Sequence, residues 1–200
     1  MLSRTLDKKR KGILFVISAP SGSGKTTLCS RLVESLDSVG RSISMTTRSP
    51  RAGERDGMDY IFIEKDEFLK RKNRNEFLEW AKVFDEYYGT PKKYVTHLIS
   101  KGQDVIVSID VQGAMKIKRM KKLQAVYIFI LPPSMAMLKE RLFNRSTDTK
   151  TEIAKRLRVA KKELKDLPKY DYVVVNNVLK SALDELRAII VAERCRIRRK

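Results

Sequence analysis

This 200-residue chain has little histidine, tryptophan or cysteine: one His, one Trp and two Cys. The lone His97 excludes a multi-histidine metal centre. Cys29 and Cys195 form neither a disulfide framework nor a C-x-x-C zinc site. Long apolar runs are lacking too. Ile13–Ala19 is seven residues, far short of the roughly 20 needed to span a membrane. The basic stretch at residues 1–12 has no apolar run suited to a secretory signal, so the cytoplasm is the expected compartment. There is no internal repeat and no low-complexity tract. Acidic residues are also scarce, with 24 Asp and Glu against 43 Lys and Arg, a net charge of +19. Such a chain attracts polyanions. Nucleotide phosphates would need only a handful of these cations, and most of the others read as solvated surface. At 200 residues and 42% hydrophobic content, one core without staples is expected.

The pattern along the chain alternates strands and helices. Ile13–Ala19, Asp104–Ile109 and Ala125–Leu131 are near-continuous apolar runs, as in strands covered on both faces of a parallel sheet. Tyr172–Val175 reads as a fourth such strand. Helices are expected over Thr26–Leu36, Gly113–Met120, Ser134–Asn144 and Leu179 to the end. Another is expected over Ile153–Leu167, opened by a Thr149-x-x-Glu152 capping box and closed by Pro168. Residues 42–97 differ in character. Ser42–Thr47 and Tyr60–Ile63 read as strands, Asp66–Arg71 as a helix led by Asp66 at its N-cap, and Tyr87–Pro91 as a turn. This stretch is read as an insertion with its own small mixed sheet. Strands alternating with helices imply an α/β fold with right-handed crossovers.

Chemistry enters at Ala19-Pro20-Ser21-Gly22-Ser23-Gly24-Lys25-Thr26, followed by Thr27. The segment nearly matches G-x-x-x-x-G-K-[ST], follows a strand and opens a helix, which is the context such a phosphate loop requires. Its inner glycines let backbone amides curl around a polyphosphate. Lys25 would reach the β- and γ-phosphate oxygens, Thr26 would offer a hydroxyl to Mg²⁺, and the helix adds its positive end. Ala19 replaces the first glycine, at the strand end where the demand is lowest. No N-K-x-D base-reading motif accompanies the loop, which argues against a GTPase.

The acceptor is read from the insertion. Arg48 and Arg51 flank Ser49–Pro50 and could clamp one phosphate, with hydroxyls from Tyr60 and Tyr88. At this point the chain resembles the guanylate kinase family. The T-T-R-x-P-R-x-G-E-x-x-G-x-D-Y-x-F stretch stands as Thr46–Phe62, E-F-x-E-W-A as Glu76–Ala81, Y-Y-G-T as Tyr87–Thr90, D-V-Q-G as Asp110–Gly113 and L-P-P-S as Leu131–Ser134. The resemblance runs from about residue 12 to 192. It implies the P-loop nucleoside monophosphate kinase fold, with a parallel sheet core flanked by helices, an inserted GMP-binding subdomain and a helical lid. The implied domain spans 11–192: core 11–41, 98–133 and 169–192, insertion 42–97, lid 134–168, and basic tails at 1–10 and 193–200.

The resemblance also implies roles. Ser44, Arg48, Arg51, Tyr60 and Tyr88 would bind the GMP phosphate, while Glu79, Thr90 and Asp110 would face guanine. Glu54 would brace the loop through an arginine. Arg141, Arg145 and Arg156 would act from the lid and Asn176 beside the adenine. The base chemistry is consistent with this. A carboxylate can accept from guanine N1–H and N2–H₂, Thr90 can donate to O6, and adenine would leave such groups unpaired. Ser108 stands where the family usually has aspartate, which bears on how Mg²⁺ is organised. The implied activity is transfer from ATP to GMP or dGMP, by a monomer or homodimer, with no specific nucleic acid or membrane partner. Two other readings stand beside it: a guanylate-kinase-like binding module, and an RNA- or lipid-binding role for the basic ends. Trp80 reads as core, Cys29 as a small buried hydrophobe and His97 as a surface or packing residue.

Overall fold

A computed structural model describes residues 10–83, 85–120, 123–144 and 149–197. The fold is α/β, with helices flanking a parallel sheet. The elements are β1 (Leu14–Ser18), α1 (Lys25–Glu34), β2 (Val39–Ser42), β3 (Met45–Thr46), β4 (Ile61–Phe62), α2 (Lys65–Asn73), β5 (Phe77–Val83), β6 (Glu86–Pro91), α3 (Lys92–Ser100), β7 (Asp104–Ser108), α4 (Val111–Arg119), β8 (Ala125–Leu131), α5 (Met135–Phe143), α6 (Lys150–Glu163), a 3₁₀ turn (Leu164–Lys169), β9 (Tyr172–Val175) and α7 (Leu179–Cys195). Five strands form one sheet in the order β2-β7-β1-β8-β9 and four form another in the order β4-β3-β6-β5.

The apolar runs become the central strands because only a strand buried on both faces can use them. Phe15, Ile17, Ile106, Ile128, Phe129 and Ile130 are fully buried. Each contributes about 1.5–3 kcal/mol relative to exposure. Val39–Ser42 pairs in parallel with Asp104–Val107, and Ile128–Leu131 with Tyr172–Val175.

The chain divides into two compact units. One takes residues up to 15, 38–107 and 115–125; the other takes 16–37, 108–114 and 126 onward. In the first, β3 runs parallel to β4 and antiparallel to β6, which pairs antiparallel with β5. This is the small mixed sheet expected of the insertion. Phe68 of α2 anchors it by stacking on Phe77 and Tyr87, with ring centroids 4.5 and 5.3 Å apart. In the second unit, Leu138, Leu142, Ile153 and Ala160 form a core of their own between α5 and α6. Ala182, Leu186 and Ile190 line the buried stripe of α7.

Local expectations are corrected in several places. Ser42–Thr47 is two strands, because the chain leaves the parallel sheet at Ser42 and joins the mixed sheet at Met45. Tyr87–Pro91 is strand β6: its aromatic and β-branched residues pair along β5, and that pairing overrides the local turn signal. Helix α2 takes Glu64 at its N-cap, leaving Asp66 in the first turn, where a carboxylate favours the helix dipole. The Thr149–Glu152 capping box forms, but α6 ends at Glu163, and Pro168 lies inside the 3₁₀ turn that follows. Helix α7 stops at Cys195. Helix α3 covers residues 92–100, a helix not expected above although Tyr94, Val95, Leu98 and Ile99 recur at helical spacing.

Candidate nucleotide-binding site

The phosphate loop is positioned by β1 and α1. Ser23 N–H donates to the Pro20 carbonyl (3.1 Å), closing the turn. Gly24 is the N-cap of α1 with φ 85°, a left-handed conformation that L side chains rarely adopt. A Cβ there would stand 2.4 Å from the Asn176 amide nitrogen. That amide donates to the Ser23 carbonyl (2.8 Å) in a buried contact, so β9 and its end hold the loop's curl. Lys25 Nζ donates to the Ile109 carbonyl (2.6 Å). Thr26 and Thr27 are exposed at the head of α1, and Cys29 is buried beneath it.

Two of the three arginines expected in the lid reach this unit's loop and its support. Arg156 Nη1 donates to Ser21 Oγ (2.9 Å), and Arg141 Nη2 to the Asn176 carbonyl (3.1 Å). Arg145 lies outside the described residues. Asp110 also belongs to this unit. Its Oδ1 accepts the Gly113 N–H (2.7 Å), capping α4, so one of its oxygens has a structural task that the expected contact with guanine did not include.

Sequence reasoning passed over a polar group in the same unit. Burial, then the nearby Asp110, push the Glu163 carboxyl up to about 7, with Lys25 opposing. Glu163 follows Arg156 by seven residues, two turns along one face of α6, a spacing that could have drawn attention to it. Burial likewise raises the Tyr170 hydroxyl, beside Ser18, Glu163 and Asp110.

In the first unit the acceptor residues gather around Arg48. Its Nη2 donates to both Glu54 oxygens at 2.9 Å, and Nη1 to the Ser49 carbonyl (2.6 Å). Glu54 Oε2 also accepts the Arg51 N–H (2.8 Å), so one carboxylate ties the loop at two points. The Arg48 guanidinium lies 5.3 Å from the centre of the Tyr60 ring, and Tyr60 meets Tyr88 edge-on at 6.0 Å. Burial would lower the Arg48 pKa, but the Glu54 carboxylate and the Tyr88 hydroxyl outweigh it and raise it. Burial raises that of Tyr60, which therefore keeps its proton as a donor. Ser44 is buried where the chain crosses between sheets. The Arg51 side chain is exposed and makes no hydrogen bond or ion pair among the described residues. The two-arginine clamp is therefore half assembled.

Glu79 and Thr90 face each other across β5 and β6, both buried, and the Thr90 hydroxyl donates to Glu79 Oε1 at 2.7 Å. A hydroxyl has a single proton, and here Thr90 gives it to Glu79 rather than holding it ready for O6. Trp80 is half-buried rather than core.

Comparison with known proteins places these features in a family. The guanylate kinase family model matches residues 11–193. The chain belongs to the guanylate kinase family. The guanylate kinase of Caldanaerobacter subterraneus subsp. tengcongensis is 49% identical over 96% of this chain and 92% of its own length. That of Desulfitobacterium hafniense is 45% identical over 96% of each. The crystal structure of guanylate kinase from Anaplasma phagocytophilum superposes with a TM-score of 0.80 at 35% identity, covering 94% of this chain and 89% of that one. The fold is accordingly the P-loop nucleoside monophosphate kinase fold, and members of the family are nucleotide-binding transferases. Among the described residues no helix is long and apolar enough to cross a membrane.

Proposed function

We propose that this chain transfers the γ-phosphoryl group of ATP to GMP, and to dGMP, releasing ADP and the guanosine diphosphate. Cytoplasmic purine nucleotide metabolism is the setting this implies. The observation that carries the reading is the buried Glu79 carboxylate, oriented by Thr90 in the same unit as the Arg48–Glu54–Tyr60 group. A buried acceptor suits N1–H and N2–H₂ of guanine. Adenine presents an acceptor at N1 and would leave the carboxylate unpaired, a mismatch worth up to about 10⁴-fold in discrimination.

Each group has a task in that reaction. The N–H groups of residues 19–26 other than Pro20 and the head of α1 hold the polyphosphate, Lys25 leaves the Ile109 carbonyl for the β- and γ-oxygens, and Asn176 keeps the loop curled. Arg48, Arg51, Ser44, Tyr60 and Tyr88 hold the acceptor phosphate so that its oxygen attacks in line. Arg141, Arg145 and Arg156 stabilise charge on the group in transfer, which this chemistry needs more than a base. Asp110 serves the guanine side through its remaining oxygen.

Mg²⁺ is the implied cofactor. Among the described residues no cluster of three or more acidic, His or Cys side chains could hold a metal, and Thr26 presents an exposed hydroxyl at the loop. That donor set fits an ion held chiefly by substrate phosphates and water. Bound there, Mg²⁺ would neutralise phosphate charge.

The test is a coupled assay of ADP release with GMP, dGMP, AMP, UMP and CMP, with Lys25→Ala as control. Saturable turnover is expected with GMP and dGMP, at most a trace with AMP, and a loss of about 10³-fold in the variant. Absence of GMP-dependent ADP release would overturn the proposal.

A further inference from the structure

We propose that a pocket around Trp80, on the α2 side of β5, binds a small multiply charged phosphate anion. The pocket has a volume of about 340 Å³ and is lined by Lys72, Phe77, Trp80, Lys116, Arg119 and Met120, among others. Ligand pockets run from about 300 to 1,000 Å³, so this one suits a small ligand.

Its charge is mainly positive: Lys72, Lys116 and Arg119 stand against one carboxylate, Glu79, which accepts the Thr90 hydroxyl proton. Lys72 Nζ lies 4.1 Å and Lys116 Nζ 4.4 Å from the centre of the Trp80 indole. Lys116 also donates to the Trp80 carbonyl. Among the described residues none of Lys72, Lys116 and Arg119 forms an ion pair. The residue before Lys72 on α2 differs. Arg71 has two carboxylates, Glu67 at 2.7 Å and Glu76 at 3.2 Å. Surface cations here do find partners where a carboxylate is in reach. Lys72 and Lys116 face the indole instead, a weak substitute for an anion. Two ammoniums and a guanidinium fork are the donor set that phosphoryl oxygens use.

Glu79 borders the pocket, but the Trp80 ring lies on the opposite face of β5. Glu79 is paired with Thr90 and Trp80 with Gly89. Neighbouring residues on a strand point to opposite faces, so Trp80 turns away from the face that carries the Glu79 and Thr90 side chains. A Cβ on Gly89 would meet the Phe77 ring at 2.6 Å, which puts Phe77 on the Trp80 face. The register shift between Phe77 and Glu79 produces this arrangement. Of the proposed acceptor residues, only Glu79 lines the pocket.

Trp80 is the chain's only tryptophan, so its fluorescence reports on this pocket. The experiment titrates the purified protein with sodium tripolyphosphate, and separately with UTP, at constant ionic strength. A saturable change in Trp80 emission is expected with at least one of them, and it should persist in Lys25→Ala, where the phosphate loop is disabled. A response to tripolyphosphate alone identifies a free polyphosphate; a response to UTP identifies a nucleotide-borne one. The K72Q/R119Q double variant should weaken the response at least about 10-fold. K65Q/K70Q, which removes two exposed charges from the same helix, should leave it unchanged. The proposal is overturned if neither anion alters the emission, if the change disappears in Lys25→Ala, or if K65Q/K70Q weakens it as much as K72Q/R119Q.

Discussion

In the proposed reaction the phosphate loop and the Arg48–Glu79 region would hold phosphate in opposite ways. The loop would use main-chain N–H groups of residues 19–26 other than Pro20, and side chains brace it: Asn176 donates to the Ser23 carbonyl and Arg156 to the Ser21 hydroxyl. The acceptor region would use side chains drawn from residues 44 to 90, two of them oriented by another side chain. Glu54 orients Arg48 and Thr90 orients Glu79. A site made of amides recognises phosphate and is indifferent to the rest of the ligand. A site made of paired side chains can select a base, and it has more members that can be broken singly.

Three substitutions would sharpen or break this contrast. The largest effect is expected from Glu79→Gln, which replaces an acceptor with a group that also donates. kcat/KM for GMP should fall by about 10²-fold or more while the KM for ATP holds, narrowing the preference over AMP. Steady-state kinetics with both nucleotides measure it, and an equal rise in both KM values would refute the division of labour. Glu54→Gln comes next. It weakens the two-point tie to Arg48 and Arg51, and the KM for GMP should rise about 10-fold with little change for ATP. The smallest is Glu163→Gln. The folded-state pKa of Glu163 is raised to about 7, so the folded chain binds more protons than the unfolded one between roughly pH 4.5 and 7. Stability from the protonated carboxyl is therefore present below that window and lost as pH rises through it. The variant should match the parent near pH 4 and exceed it above pH 7, by about 2 kcal/mol. Thermal melts across pH read this directly, and equal gains at both ends would show that titration is not the cause.

The two regions also differ in how far they could be read beforehand. Gly22, Gly24, Lys25 and Thr26 stand together in the chain, so their spacing alone announces a loop between strand and helix. The capping box at Thr149 was legible for the same reason. Tyr87–Pro91 was not, because a Gly and a Pro among aromatics read locally as a turn, and only the partner strand β5 makes them a strand. The Glu54 tie was foreseeable six residues from Arg48. The resemblance named Thr90, but its commitment to Glu79 depends on which residues β5 and β6 place opposite each other. Nothing local marked Trp80 as half-exposed between two lysines.

The sequence by itself determined the alternation of buried strands and helices, the backbone geometry of the phosphate loop and the basic excess, since each depends on neighbours close in the chain or on composition. The tertiary structure alone decided which carboxylate holds which partner, where α6 ends, how Glu163 comes to be buried near Asp110 and Lys25, and which cations are left to an indole. Those outcomes depend on strand register and on burial, and both are set by residues far apart in the chain.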